Sequence, residues 1–209
     1  MNGVQFLKLI GDARAFRQSA WLIENEISRL QVRQGDLSPV GGSAGWPSHS
    51  VWESLKTASH FNLATALELR LKCLLLLHDI VPLQRGSGHC LAKLYRQFGE
   101  RGGATEGTLK ALFRKAIADR PFELLAFLTT DAPNAPEGPG DRMLATLMDV
   151  FVYLDEDAEL WKKRYAWERT AGDDAQWQHY IDDLGAFFEF LDATESLAME
   201  LARKRGIVR

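Results

Sequence analysis

The sequence predicts an all-α protein: an antiparallel helical bundle with three long helices and several short inserted ones. Three observations predict it. Apolar residues recur at three- and four-residue steps along most of the chain, alternation of the strand type is scarce, and Gly/Pro-rich stretches punctuate the periodic segments. A length of 209 residues with 46% hydrophobic and 25% charged side chains suits one large domain with a substantial core. That composition excludes full disorder, and two cysteines exclude a disulfide-built scaffold. The longest apolar patch, Cys73 to Leu77, falls far short of the roughly 18 residues a membrane span needs, and the N-terminus lacks a signal-peptide layout. A cytoplasmic protein without a membrane partner is the expectation.

Val4, Leu7, Ile10, Ala13, Ala20, Ile23, Ile27 and Leu30 place a first helix over about residues 4 to 32. Pro39, Gly41, Gly42, Gly45 and Pro47 break it. A second long helix fits about residues 50 to 80 and is apolar on nearly every side from Leu63 to Ile80, as in a helix at the centre of a fold. Pro82 and the run Arg85-Gly86-Ser87-Gly88 end it, and a short helix follows from about His89 to Phe98. Thr105 is suited to cap the next, with Leu109, Leu112, Phe113, Ala116 and Ile117 as its apolar face. Pro121 suits the first turn of another, through about Leu128. Residues 131 to 140, with three Pro and two Gly, read as an exposed loop. Asp141 is expected to cap a helix containing Leu144, Leu147, Met148, Phe151 and Leu154. Asp173 with Gln176 resembles a capping box for a last long helix through Trp177, Ile181, Leu184, Phe188, Leu191 and Ala198. Arg203, Lys204 and Arg205 before Gly206 supply the charges and the breaker that a helix C-terminus favours.

The net charge of −3 is a cancellation. Residues 1 to 140 carry 16 basic and 13 acidic side chains, residues 141 to 200 carry 5 and 15, and the last nine carry four basic and none acidic. Within residues 80 to 120, eight basic side chains face three acidic ones, so an anionic ligand would be steered there; the alternative is the solvated faces of two amphipathic helices. There is no Walker loop, GxGxxG, HExxH or GxSxG. Cys73 and Cys90 form no CxxC and the five histidines contain no i, i+4 pair, so neither a metal nor a cofactor is expected.

Three polar features stand out against the apolar background. Glu68 and Lys72 lie four apart on the central helix among leucines, where burial would require them to be paired. Arg85-Gly86-Ser87-Gly88-His89 runs into a helix whose free N–H groups, with the Ser hydroxyl, would suit a phosphate or carboxylate; a simple capped turn is the other reading. Lys163-Arg164-Tyr165-Ala166-Trp167-Glu168 places two aromatics among charges, with Arg164 and Glu168 spaced for an ion pair.

In this order, Glu68-Leu-Arg-Leu-Lys72, Gly88-His89 opening a helix with Leu91 and Leu94, and Arg164-Tyr165-x-x-Glu168 before a last long helix resemble the HEPN-like family of helical bundles. The matched motifs span about residues 60 to 98 and 160 to 200. The resemblance implies one HEPN-like domain over residues 1 to 209, with 99 to 157 as a helical insertion, in an antiparallel bundle that is commonly a homodimer. The family includes RNase toxins, antiviral defence factors and non-catalytic RNA- or nucleotide-binding members. Its catalytic members carry Arg, four to six residues, then His. Here Arg85 to His89 leaves three residues and Arg70 to His78 leaves seven, so the resemblance implies a non-catalytic or atypical member. Carried onto this chain, only Glu68, Lys72, His89, Arg164, Tyr165 and Glu168 match; if the chain handles RNA or a nucleotide, Lys72, Arg85, Ser87, His89 and Arg164 would hold it, with His89 the candidate acid–base group. Glu68, Tyr165 and Glu168 would complete a structural polar cluster. The competing expectation is a structural or protein-interaction module in which the same groups only fix helix packing.

Overall fold

The computed structural model describes residues 1–35, 49–82, 90–101, 103–118, 122–128, 142–156, 177–181 and 184–209. Its body is helical, as the periodicity predicts. Six α-helices lie among the described residues: α1 (Gly3–Gly35), α2 (His49–Leu77), α3 (Leu91–Arg101), α4 (Ala104–Ala116), α5 (Leu147–Glu156) and α6 (Gly185–Lys204). Three of them, at 33, 29 and 20 residues, are long. No described helix is long and apolar enough to cross a membrane.

Long-range ion pairs fix how α1, α2 and α6 run. Glu24 meets Lys56, while Arg14 and Arg70 share Glu195, so α1 and α2 run in opposite directions. Arg17 meets Asp192 and the N-terminal Gly3 approaches Ile207, so α1 also opposes α6. That last approach is close: a Cβ on Gly3 would lie 2.8 Å from the Ile207 carbonyl oxygen, so only glycine fits without a backbone shift. Arg70 with Glu195 and Asp79 with Arg205 align α2 and α6 in the same direction. One apolar core joins these helices to the rest: Phe6 and Ile10 of α1, Leu67, Leu71 and Leu74 of α2, Phe98 of α3, Phe113 of α4, Phe151 of α5 and Phe187 and Phe190 of α6. Edge-to-face rings lock the outer helices, Tyr95 on Phe151 at 5.0 Å and Phe113 on Phe190 at 5.7 Å between centroids.

Helix α2 stops at Leu77, before the expected 80, because Asp79 takes a left-handed conformation (φ 59°). Ile80 N–H then bonds the Leu75 carbonyl and Asp79 N–H the Leu76 carbonyl, the bonding of a Schellman end. The same device ends α6 at Gly206 (φ 66°), the breaker expected there, with Ile207 N–H on the Ala202 carbonyl.

Three short strands stand where the sequence predicts helix: β1 (Phe122–Leu128), β2 (Arg142–Leu144) and β3 (Trp177–Ile181). They form one antiparallel sheet in the order β2-β1-β3, with Phe122 opposite Leu144 and Leu128 opposite Trp177. The expected helix from Pro121 is thus a strand, and the last helix begins at Gly185 because residues 177 to 181 pair with β1. A seven-residue apolar run such as FELLAFL suits either state, and partners distant in sequence decide it.

Two capping expectations are also corrected. Thr105 does not cap α4: Gly103 occupies the cap position, and Thr105 is buried in the first turn. Helix α5 starts at Leu147, where Thr146 and Asp149 exchange bonds of 2.9 and 3.2 Å, so Asp141 is not its cap. Asp141, residues 131 to 140, and the Asp173 and Gln176 pair lie outside the described residues.

Candidate polar site in the bundle

Helix α2 passes through the middle of the fold, so each polar side chain it carries must find a partner or be held neutral. Glu68 and Lys72 do so as their spacing predicts: they form an ion pair, with Glu68 only 7% exposed. Lys72 is thus engaged within its own helix. Arg85, Ser87, His89, Arg164, Tyr165 and Glu168 lie outside the described residues. The helix that the Gly-Ser-Gly turn was expected to open starts at Leu91, two residues later than His89. Two of its free N–H groups are already taken. The Asp155 carboxylate, from α5, accepts the Leu91 and Ala92 N–H groups at 2.7 and 2.9 Å and the Cys90 thiol at 3.0 Å. A carboxylate at a helix N-terminus is the arrangement the helix dipole favours, so the chain itself supplies the anion expected from a ligand.

The deepest charge is Arg70, between Leu69 and Leu71 and 1% exposed. Its Nη2 pairs with Glu195 of α6, while its Nε and Nη1 have no partner among the described residues. Arg14 of α1 donates from Nε to the other Glu195 oxygen at 2.5 Å, so one carboxylate holds two guanidinium groups on two helices. Burial would raise the pKa of Glu195, but the hydrogen bonds and charges of Arg14 and Arg70 outweigh it and hold it below the ordinary value. Burial also pulls Arg70 below its usual range, against the attraction of Glu195. One turn back along α6, Asp192 accepts two bonds from Arg17 at 3.0 and 2.8 Å, and Arg17 lies over the Phe188 ring at 4.9 Å. Arg14, Arg17, Gln18, Asp192, Glu195 and Ser196 line an open groove of about 650 Å³ between α1 and α6.

A second buried group lies where α2 meets α1 and α5. Lys56, 5% exposed, pairs with Glu24 at 2.9 Å. One turn on, His60 Nδ1 lies 2.8 Å from the Lys56 carbonyl, and its ring meets the edge of Tyr153 at 6.3 Å. Burial, with the Lys56 charge adding to it, pushes the His60 pKa down to about 4, so the ring is neutral at pH 7 and does not cycle protons there. Of the other described histidines, His78 lies 2.6 Å from the Thr105 hydroxyl through Nε2, away from Arg70, which faces Glu195. Cys73 is fully buried and its thiol is pushed up to about 12 by burial, which fits a small hydrophobe rather than a nucleophile. No group of three or more metal-ligating side chains occurs among the described residues.

Sequence reasoning singled out Glu68 and Lys72 but missed Arg70, Arg14, Glu195, Lys56, Glu24 and Asp155. A signal was present for Arg70, a charge flanked by leucines like its two neighbours. For the others none was, since their partners lie between 32 and 181 residues away. No protein-family model, curated protein or solved structure matches this chain.

Proposed function

We propose that the chain is a non-catalytic helical module that works by binding a macromolecular partner, its internal polar groups serving to fix the packing of the helices. The observation that carries this reading is the pairing of charges inside the bundle. Glu68 with Lys72, Arg70 and Arg14 with Glu195, and Lys56 with Glu24 are matched to one another, and Asp155 fills the helix start that would have suited a phosphate or carboxylate ligand. The neutral, buried His60 adds to it. A cytoplasmic setting accords with two cysteines that are both free thiols.

A second reading keeps the HEPN-like resemblance: an RNA- or nucleotide-binding bundle of the kind found in defence and toxin–antitoxin systems. What supports it is an open groove that carries Arg14 and Arg17, whose guanidinium groups would have to exchange their Glu195 and Asp192 partners for phosphate. One pair of variants separates the readings. In the module, His89→Ala and Arg164→Ala lower the melting temperature and the full chain binds no labelled single-stranded RNA. In the ligand reading, the wild type binds RNA with an affinity that falls steeply between 50 and 200 mM salt, and both variants abolish binding with the melt unchanged. RNA binding of that kind overturns the module.

A further inference from the structure

The antiparallel pair of α1 and α2 has two kinds of interior. From Leu63 onward the side chains that α2 buries are mostly apolar, with Leu63, Leu67, Leu71 and Leu74 in the core. Before Leu63 the buried ones among the described residues are all polar: Lys56, Ser59 and His60, at 5%, 0% and 1% exposed. Helix α1 brings little apolar surface to meet them, since Ile27 is its one buried side chain beyond Ala20 among the described residues. The outer end of the pair, residues 20 to 27 with 55 to 62, therefore has a polar interior.

That interior is closed but incompletely bonded. Lys56 meets Glu24 of α1 at 2.9 Å, and His60 Nδ1 lies 2.8 Å from the Lys56 carbonyl oxygen. A carbonyl only accepts, so Nδ1 carries the proton of the neutral ring. The Ser59 hydroxyl and the second Glu24 oxygen are buried with no hydrogen-bond partner among the described residues. Each forgoes bonds to water that it regains when the helices part. Sparse apolar contact and unmet polar groups are the marks of a segment that opens by itself. The other end is anchored separately, by Phe6 and Ile10 in the core and by Arg14 and Arg70 on Glu195.

Three titratable groups meet at His60. They are Lys56 on its own helix, Glu24 of α1 through Lys56, and Tyr153 of α5, whose ring it meets edge-on. A proton added to the ring makes a second buried cation one turn from the Lys56 ammonium, whose Glu24 partner is already engaged. Parting the helices returns that cation to water. We propose that the outer end of the α1–α2 pair is an acid-sensitive switch, in which protonation of His60 separates residues 20–27 from 55–62 while the leucine-rich end and α6 stay packed. Opening uncovers Ala20, Ile27 and Tyr153, so acid presents apolar surface that neutral pH conceals. The switch depends on neither reading of what the chain binds.

Hydrogen exchange of the full chain, read by mass spectrometry at pH 7.5, 6 and 5 and corrected for the intrinsic pH dependence of exchange, tests it. With the His60 pKa at about 4 when closed and an ordinary 6.5 when open, the open state takes the proton more readily. Protection of residues 20–27 and 55–62 should then fall about fourfold by pH 6 and about thirtyfold by pH 5. Residues 67–75 of α2 and 187–198 of α6 should keep theirs within about twofold. In His60→Gln, which cannot take up the proton, the outer end should be as protected at pH 5 as at pH 7.5. A loss spread evenly along α2, or a selective loss that persists in His60→Gln, overturns the switch. So does unchanged protection of the outer end in the wild type, a comparison that needs no variant to fold.

Discussion

Removing the Glu195 carboxylate is the most informative single perturbation of the bundle. Arg70 is 1% exposed, and two of its three guanidinium nitrogens have no partner among the described residues, so Glu195 is its one counter-charge there. Glu195→Ala leaves that charge buried and unmatched, and releases Arg14 to solvent, where its side chain is already 59% exposed. Breaking a buried pair in this way costs about 3–5 kcal/mol. Because Glu195 is itself 17% exposed, water entering the vacated space offsets part of that, and the lower end, about 3 kcal/mol, is the expectation. For a chain of this length that is a fall in melting temperature of roughly 6–12 °C. Urea titration followed by circular dichroism reads it directly. Arg14→Ala should cost no more than about 1 kcal/mol, as an exposed partner. The double variant Arg70→Met/Glu195→Leu should recover most of the loss, because apolar side chains of similar volume replace a buried pair at little cost. A Glu195→Ala protein within about 0.5 kcal/mol of wild type would refute the view that this carboxylate ties α1, α2 and α6 together.

Two further outcomes follow from the same geometry. His60 has a folded pKa of about 4 against an ordinary 6.5, so the unfolded chain binds the proton more readily; stability from this group is complete above pH 6.5 and is lost as pH falls toward 4, on the order of 3 kcal/mol in all. Urea titrations at pH 7.5, 6 and 5 should show that decline and His60→Gln should flatten it, whereas a proton NMR titration of the ring with a midpoint near 6.5 would contradict it. Asp155→Ala removes the cap of α3 and should cost about 1–2 kcal/mol, with amide exchange at Leu91 and Ala92 accelerated more than elsewhere in that helix; unchanged exchange at both would show the cap to be inert.

Helical class was legible in the sequence because its signal is local. The three- and four-residue steps of α1, the near-continuous apolar surface of α2 and the Arg-Lys-Arg-Gly end of α6 are each set by neighbours within a turn or two, and each appears within a few residues of its expected place. The ion pair of Glu68 and Lys72 was legible for the same reason, being one helical turn apart. The sheet was not. FELLAFL carries no period that separates strand from helix, and its strand state depends on residues 142 to 144 and 177 to 181, which only the folded chain brings alongside. Cap positions moved likewise. Thr105 has the side chain of a cap, yet it turns inward to His78, and α3 takes its cap from Asp155, more than sixty residues away.

What the sequence determined by itself was therefore the helical composition of the chain and the places where its charges fall within apolar surroundings. What the tertiary structure alone decided was which charges answer one another. Arg70 finds Glu195 at a separation of 125 residues, and Arg14 reaches the same carboxylate across 181. The physical reason is desolvation. A buried guanidinium requires an anion, but the sequence specifies only that requirement, and the packing of α1 and α6 against α2 specifies the carboxylate that meets it.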